Sequence, residues 1–304
     1  MSQEQLSWGE RYLYAPSFFQ KLLSFILFPF SLLYCIIAWI RYKQSIEKDF
    51  EIPVVSVGNL TVGGSGKTPL VSALVQYFSH SAIILRGYGR QSKGLIVVRD
   101  WGKVCVDVYQ SGDEAMIYAT RLNNTLVIVS EDREQAILKA KEMGAKLVFL
   151  DDGYGKHHIK KLDLLIDVET PNTFCLPSGA YREKLWSGKE AVILKEGRDF
   201  IRKTILKDAG EKMSLVTAIA RPQRLENYLP SLVAKHYFKD HYFFKKSELE
   251  AILDQDKSDT LLVTYKDFVK IAPMKLPLSL LDLELEVKEE IIEIIQRYIN
   301  ERKN

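Results

Sequence analysis

Residues 53–78 read PVVSVGNLTVGGSGKTPLVSALVQYF: an apolar run, a glycine-rich loop and an amphipathic stretch with no spacer between them. The first is strand-like, and Leu70, Leu74 and Phe78 of the last fall on one helical face. A strand that feeds a helix through so short a loop is half of a βαβ unit, and βαβ units build parallel sheets buried between helices. The alternation continues along the chain. SAIIL (81–85), TLVIVS (125–130), KLVFLDD (146–152) and LDLLIDV (162–168) read as strands, while GDEAMIYATRL (112–122) and REQAILKAKEMGA (133–145) read as helices. Right-handed crossovers bring the C-terminal ends of such strands to one edge of the sheet, where ligands bind.

The loop itself resembles a nucleotide-phosphate loop, G-x-x-x-x-G-K-[ST]: Gly66, Lys67 and Thr68 fit, with Thr61 where the first glycine is usual. Gly63, Gly64 and Gly66 let backbone N–H groups converge on phosphate oxygens, and the following helix adds its N-terminal dipole. Lys67 would reach the β- and γ-phosphates, and the Thr68 hydroxyl would hold Mg²⁺. The residues expected around ATP are therefore Thr61, Val62, Gly63, Gly64, Ser65, Gly66, Lys67 and Thr68. The competing reading is a glycine-rich hairpin or helix cap; the strand before and helix after count against it. Asp151 and Asp152 close an apolar strand in the manner of a Walker B element, one carboxylate of which would bind Mg²⁺ directly or through water. Alone, the same residues would read as a strand-ending Asp-Asp-Gly turn.

Ahead of this core, Leu22 to Ile40 carry no charge, a length near that of a membrane span. A buried core helix, a full span and an interfacial anchor all remain open. Pro29, Ser24, Ser31 and Tyr34 make a poor deep span. Arg11 and Lys21 before it, with Arg41, Lys43 and Lys48 after it, fit a segment lying against an anionic leaflet better than one crossing it, and Trp39 and Tyr42 suit the headgroup layer. No small-residue cleavage site follows, so a signal peptide does not fit. A net charge of +3 is too small to argue for nucleic acid. Cys35, Cys105 and Cys175 are odd in number and far apart, so neither a disulfide framework nor a structural zinc site is expected, and a reducing compartment fits best.

After a charged stretch at 195–212, a second set of elements follows: SLVTAIA (214–220), AKHYF (234–238), SELEAIL (247–253), TLLVTYK (260–266), LSLLDLELEV (278–287) and a last helix, KEEIIEIIQRYINERK. The expected fold class is α/β: a P-loop NTPase-type parallel sheet sandwiched by helices, an N-terminal membrane-associated helix, and a smaller C-terminal α/β domain. The boundaries are set at 1–43 for the anchor, 44–208 for the P-loop core and 209–304 for the C-terminal domain.

Several stretches, in order along almost the whole chain, resemble the tetraacyldisaccharide 4'-kinase family of lipid A biosynthesis: the phosphate loop, LRGYGRQSKG (85–94), SGDEA (111–115), SEDR (130–133), LDDGYGKHHIKKLDLLI (150–166), LPSGAYREKL (176–185), KDHY (239–242) and VTYKDFVK (263–270). The resemblance implies transfer of the γ-phosphoryl group of ATP to the 4'-hydroxyl of a tetraacylated glucosamine disaccharide 1-phosphate at the cytoplasmic leaflet of a Gram-negative inner membrane. It implies a C-terminal domain closing over the nucleotide, a lipid substrate, and neither nucleic acid nor an obligate protein partner.

Residue by residue, the resemblance makes Asp113 the group that deprotonates the acceptor, pairs it with His241, and sets Glu114 near the metal with Thr68, Asp151 and Asp152. From the residues alone, Asp113 and Glu114 would only complement a helix dipole, and His241 would be packing or surface. Arg86, Arg90, Lys93 and Arg182 are candidates for phosphate groups of the acceptor or of the transferred phosphoryl, since a guanidinium fork matches phosphate oxygens. Lys266 and Asp267 are expected in the second domain near the adenine. Gly155 and Lys156 stand where many members read Gln-His, with His157 and His158 following, and the family's GNP-x-R region becomes IARPQRLENY (219–228). Two rival functions remain at this stage: a soluble P-loop ligase, which the apolar N-terminal segment disfavours, and a membrane-associated P-loop ATPase, which has no need of an acceptor base.

Overall fold

The computed structural model describes residues 8–219 and 222–302; Ala220 and Arg221, in the IARPQRLENY stretch, lie outside the described residues. Two helices open the chain, α1 (Trp8–Tyr14) and α2 (Phe18–Lys43). The core then runs β1 (Val54–Gly58), α3 (Lys67–Val75), β2 (Ser81–Leu85), β3 (Ile96–Asp100), β4 (Lys103–Val104), α4 (Val108–Ser111), α5 (Asp113–Arg121), β5 (Leu126–Val129), α6 (Arg133–Glu142), β6 (Leu147–Asp151), β7 (Leu162–Ile166) and β8 (Val192–Leu194). These strands form one sheet in the order β4-β3-β5-β2-β6-β1-β7-β8, parallel from β5 to β8, with the β3–β4 hairpin as an antiparallel edge. The central strands β1, β2, β5 and β6 are buried along their whole length, which is why they read as continuous apolar runs.

The second sheet is β9 (Phe200–Lys207), β10 (Met213–Thr217), β11 (Ala234–Tyr237), β12 (Thr260–Thr264) and β13 (Leu278–Val287), in the order β11-β10-β12-β13-β9. It carries α7 (Lys246–Asp256) and α8 (Tyr265–Ile271). The boundary drawn at 208 falls inside this sheet, because β9 pairs antiparallel with β13 along its full length. The charged text of β9 is that of an edge strand with most residues facing solvent. The last helix, α9 (Glu289–Glu301), crosses back: Ile291, Ile295 and Ile299, spaced one turn apart, pack into the same core as Val55, Leu74 and Phe149. Arg302 then grips the Asp49 carboxylate with both arms of its fork.

Helix α2 begins on a capping box, Ser17 with Gln20, and continues through Pro29. It is long and apolar enough to cross a membrane by length and composition. Its two sides differ. Gln20, Ser24, Ser31 and Ala38 form a buried stripe against the protein body. Ser24 Oγ donates to the Ser178 carbonyl at 2.5 Å, Ser178 N donates to Ser31 Oγ at 2.9 Å, and Tyr34 Oη donates to the Arg182 carbonyl at 3.1 Å. The opposite face exposes Phe18, Phe19, Phe25, Ile26, Phe30 and Ile37. The expectation of no disulfide is corrected here: Cys35 on α2 is bonded to Cys175, leaving Cys105 free and exposed. The two cysteines are 140 residues apart, and only the docking of α2 on the 172–183 segment brings them together.

Candidate active site

The phosphate loop leaves β1 at the C-terminal edge of the first sheet and turns into α3. Gly66 caps α3 in the left-handed conformation (φ 86°), which a side chain would resist. The loop is braced from below by the 172–183 segment: Val62 N donates to the Ala180 carbonyl at 2.9 Å and Arg182 N to the Leu60 carbonyl at 2.9 Å. Lys67 Nζ sits 2.9 Å from Asn59 Oδ1 and 3.5 Å from Asp152 Oδ1. Asn59, buried at the strand end, also donates to Thr61 O and Oγ1 at 2.8 and 3.0 Å. The residue replacing the usual first glycine is thus itself buried and bonded. Sequence reasoning missed Asn59; a polar residue directly after a buried strand, at the ligand edge, was the available signal.

Asp151 and Asp152 diverge. Asp151 is buried and accepts from the Tyr118 hydroxyl at 2.8 Å, while its Oδ1 has no hydrogen-bond partner. Burial raises its pKa against the pull of Lys67. Glu114 is pushed up to about 7, first by burial and then by the charge of Asp151. Two mutually repelling buried carboxylates with an orphaned oxygen are the environment a divalent cation relieves. Among the described residues no cluster of three His, Cys, Asp or Glu side chains closes on one point. The residues therefore fit Mg²⁺ held by few protein oxygens with phosphate and water completing the shell. Tyr118, also missed from sequence, lies one helical turn beyond Glu114, which the i, i+4 spacing could have revealed. Asp152, in the left-handed region (φ 59°), instead pairs with Arg182 and Lys67. Burial alone would raise its pKa, but these two cations hold it below its ordinary value.

Asp113 opens α5 after Gly112 (φ 82°), whose missing Cβ would stand 2.9 Å from the Tyr88 carbonyl. That close approach seats the 86–94 loop on the helix start. From the second domain, His241 (φ 60°) brings Nδ1 to 2.9 Å from Asp113 Oδ2, across 128 residues of sequence. Burial works against ionised Asp113, but His241 and Lys266 outweigh it and keep its pKa low. The pair expected from the family pattern is therefore assembled. Lys266 is here too, rather than at an adenine site alone, with Nζ 3.0 Å from Asp240, 3.3 Å from His241 Nε2 and 3.7 Å from Asp113. Asp267 is fully buried and accepts from Thr217 Oγ1, Thr264 Oγ1 and Ala218 N, so it fastens α8 to β10.

The four basic candidates separate. Arg90 is locked to Glu131 at 2.5 Å and to the Gly94 carbonyl at 2.6 Å, with its side chain 3% exposed, so it closes its own loop. Arg182 is bound to Asp152 and lies 3.3 Å from Asn59 Oδ1, within the nucleotide site. Arg86 and Lys93 are exposed. His157 is buried between Glu183 (3.4 Å) and Lys189 (2.8 Å), a packing position. A cavity of about 330 Å³ separates the two sheets, lined by Gly64–Thr68, Glu114, Tyr228 and Thr264–Lys266.

The chain is similar in sequence and fold to known proteins. The family model described as tetraacyldisaccharide-1-P 4'-kinase (LpxK) matches residues 23–213 and 195–300. Tetraacyldisaccharide 4'-kinase of Campylobacter jejuni (strain 81-176) is 46% identical over 297 residues, covering 97% of this chain and 96% of the relative. That of Aliarcobacter butzleri is 45% identical over 314 residues, covering all of both chains. The crystal structure of the "apo" form of LpxK from Aquifex aeolicus in complex with ATP superposes with a TM-score of 0.74 at 25% identity, covering 91% of this chain and 99% of that one.

Proposed function

The chain belongs to the tetraacyldisaccharide 4'-kinase family, and from that premise we propose how its own residues carry out ATP-dependent phosphorylation of a lipid disaccharide. ATP enters the cavity between the sheets, its phosphates on the backbone of Val62–Gly66 with Lys67 and Thr68. Arrival of the triphosphate gives Lys67 an anionic partner in place of Asn59 and Asp152. Asp151, Glu114 and Thr68 would hold Mg²⁺, which supplies charge neutralisation of the phosphates. The 4'-hydroxyl oxygen of the tetraacylated disaccharide 1-phosphate bonds to the γ-phosphorus. Its proton passes to Asp113, and the bond to ADP breaks with the electron pair leaving on ADP. His241 orients Asp113 from the second domain. Arg86 and Lys93, exposed on the loop beside Asp113, are the candidates for the acceptor's phosphate; Arg90 and Arg182 are engaged elsewhere.

The exposed face of α2 seats the chain on the inner membrane from the cytoplasmic side, where ATP is. Its body-facing polar stripe supports an anchor lying along the protein, because a span surrounded by lipid would leave Gln20, Ser24 and Ser31 in hydrocarbon. The N-terminal region to about 43, a core and a C-terminal unit beginning with β9 are the proposed divisions, with α9 rejoining the core. The observation that carries the reading is the Asp113–His241 contact, joined through Lys266 to the cavity that the phosphate loop lines: an ATPase needs the loop but no acceptor base. Incubation with ATP and the tetraacylated disaccharide 1-phosphate, read by mass spectrometry and phosphorus NMR, tests it. A second phosphate ester on the 4'-carbon is expected; ATP hydrolysis with unchanged lipid would contradict it.

A further inference from the structure

Two lysines face the nucleotide cavity from opposite domains. Lys67 comes from the phosphate loop and Lys266 from the start of α8. Each ammonium is satisfied by protein groups: Lys67 by Asn59 and Asp152, Lys266 by Asp240, His241 and Asp113. The backbone beneath Lys266 is fixed. Thr264 caps α8 through Asp267 N, and buried Asp267 ties that corner to Thr217 and Ala218. The side chain is not fixed in the same way: it is 20% exposed and shares its charge among three acceptors at 3.0 to 3.7 Å.

We propose that Lys266 is a catalytic residue: when ATP enters, its ammonium moves from the Asp113–Asp240–His241 cluster onto the γ-phosphate and stays with that group during transfer. The proposal rests on the kinase reading above and deepens it. A compact charge on a flexible four-carbon stem can follow a phosphoryl group between two oxygens, where a planar guanidinium fork would hold it in place. A triphosphate brings several negative charges against a wall that already contains Glu114 and Asp151. Lys67 and a bound Mg²⁺, itself shared with those two carboxylates, would offset only part of that charge. The move also takes one cation away from Asp113, leaving it with His241 and the Glu114 N–H, so the carboxylate is freer to take the acceptor proton once ATP is seated. A purely structural role predicts something different, a domain-bridging ion pair indifferent to which nucleotide is bound.

The test uses the full-length chain and the variants Lys266→Gln and Lys266→Arg. Calorimetric titration with a non-hydrolysable ATP analogue and with ADP is made without acceptor; turnover is measured with the lipid. In Lys266→Gln, affinity for the analogue falls about tenfold and affinity for ADP stays within about twofold, so the preference for a γ-phosphate contracts. The kcat falls about 10²-fold with KM for the lipid nearly unchanged. Lys266→Arg recovers the nucleotide preference but only part of the turnover. Equal loss of ATP analogue and ADP, wild-type turnover in Lys266→Gln, or equal turnover in wild type and Lys266→Arg would overturn the proposal. A wild-type chain inactive on the lipid would overturn the substrate reading instead, while the analogue-against-ADP comparison still decides the role of Lys266.

Discussion

The phosphate loop lines the cavity between the sheets and the Asp113–His241 pair adjoins it through Lys266, yet the two are held differently. The loop is continuous chain between a fully buried strand and the helix it caps, and its lysine is braced by Asn59, eight residues away. The pair joins residues 128 apart, one from each sheet, and His241 reaches it from a left-handed backbone conformation that costs about 1 kcal/mol or more. The loop can form wherever the first sheet forms. The pair exists only while the second domain is seated, so one site contains a permanent half and a conditional half.

Breaking the permanent half should have the largest effect. Lys67→Ala is expected to lower phosphoryl transfer about 10³-fold, with the thermal transition nearly unchanged because Asn59 and Asp152 both keep Arg182 as a partner; a steady-state assay and calorimetry check both. Asp113→Asn should lower kcat about 10²-fold while nucleotide affinity, measured by titration, stays near wild type. Loss of nucleotide binding alone in that variant would reassign Asp113 to the metal. The double change Phe25→Lys and Phe30→Lys, on side chains 72% and 62% exposed, should lower partition onto anionic vesicles at least about tenfold in sedimentation while leaving turnover on detergent-solubilised lipid intact. That result would separate membrane seating from both halves of the site.

The smallest expected effect sharpens the account of how the halves are joined. The hydrogen bonds from Arg302 hold the Asp49 carboxyl well below the usual carboxylate range. A depressed folded-state pKa adds stability above the unfolded value, near pH 4, and that stability is lost as pH falls through the folded value. Because the pair is partly exposed, Asp49→Asn should lower the melting temperature by only about 1 °C at pH 7 and by less at pH 2, where part of the contribution is already lost. An equal loss at both pH values would show that the asparagine disturbs packing and not charge.

What was legible in the sequence follows the same division. β1, β2, β5, β6 and the phosphate loop are local signals, since fully buried parallel strands must be apolar runs and phosphate binding needs glycine and lysine in order. Strand β9 was hidden because an edge strand can be as charged as a linker. The β3–β4 hairpin and β8 are short or half-exposed and carry little pattern. The Cys35–Cys175 bond, the engagement of Arg90 with Glu131 and the place of Lys266 beside His241 depend on distant segments meeting, which no local pattern encodes. The Asp113–His241 pair belongs to that class as well; family resemblance, not residue chemistry, made it visible.

The central claim is that Asp113 and His241 act as one unit across the two domains, and a double-mutant cycle measures it most directly. Single-turnover transfer to the lipid would be followed by rapid quench in wild type, Asp113→Asn, His241→Ala and the double variant at saturating ATP. The account predicts that the double variant is no slower than Asp113→Asn alone, because His241 acts through Asp113. Losses that multiply would contradict it and give the two residues independent roles.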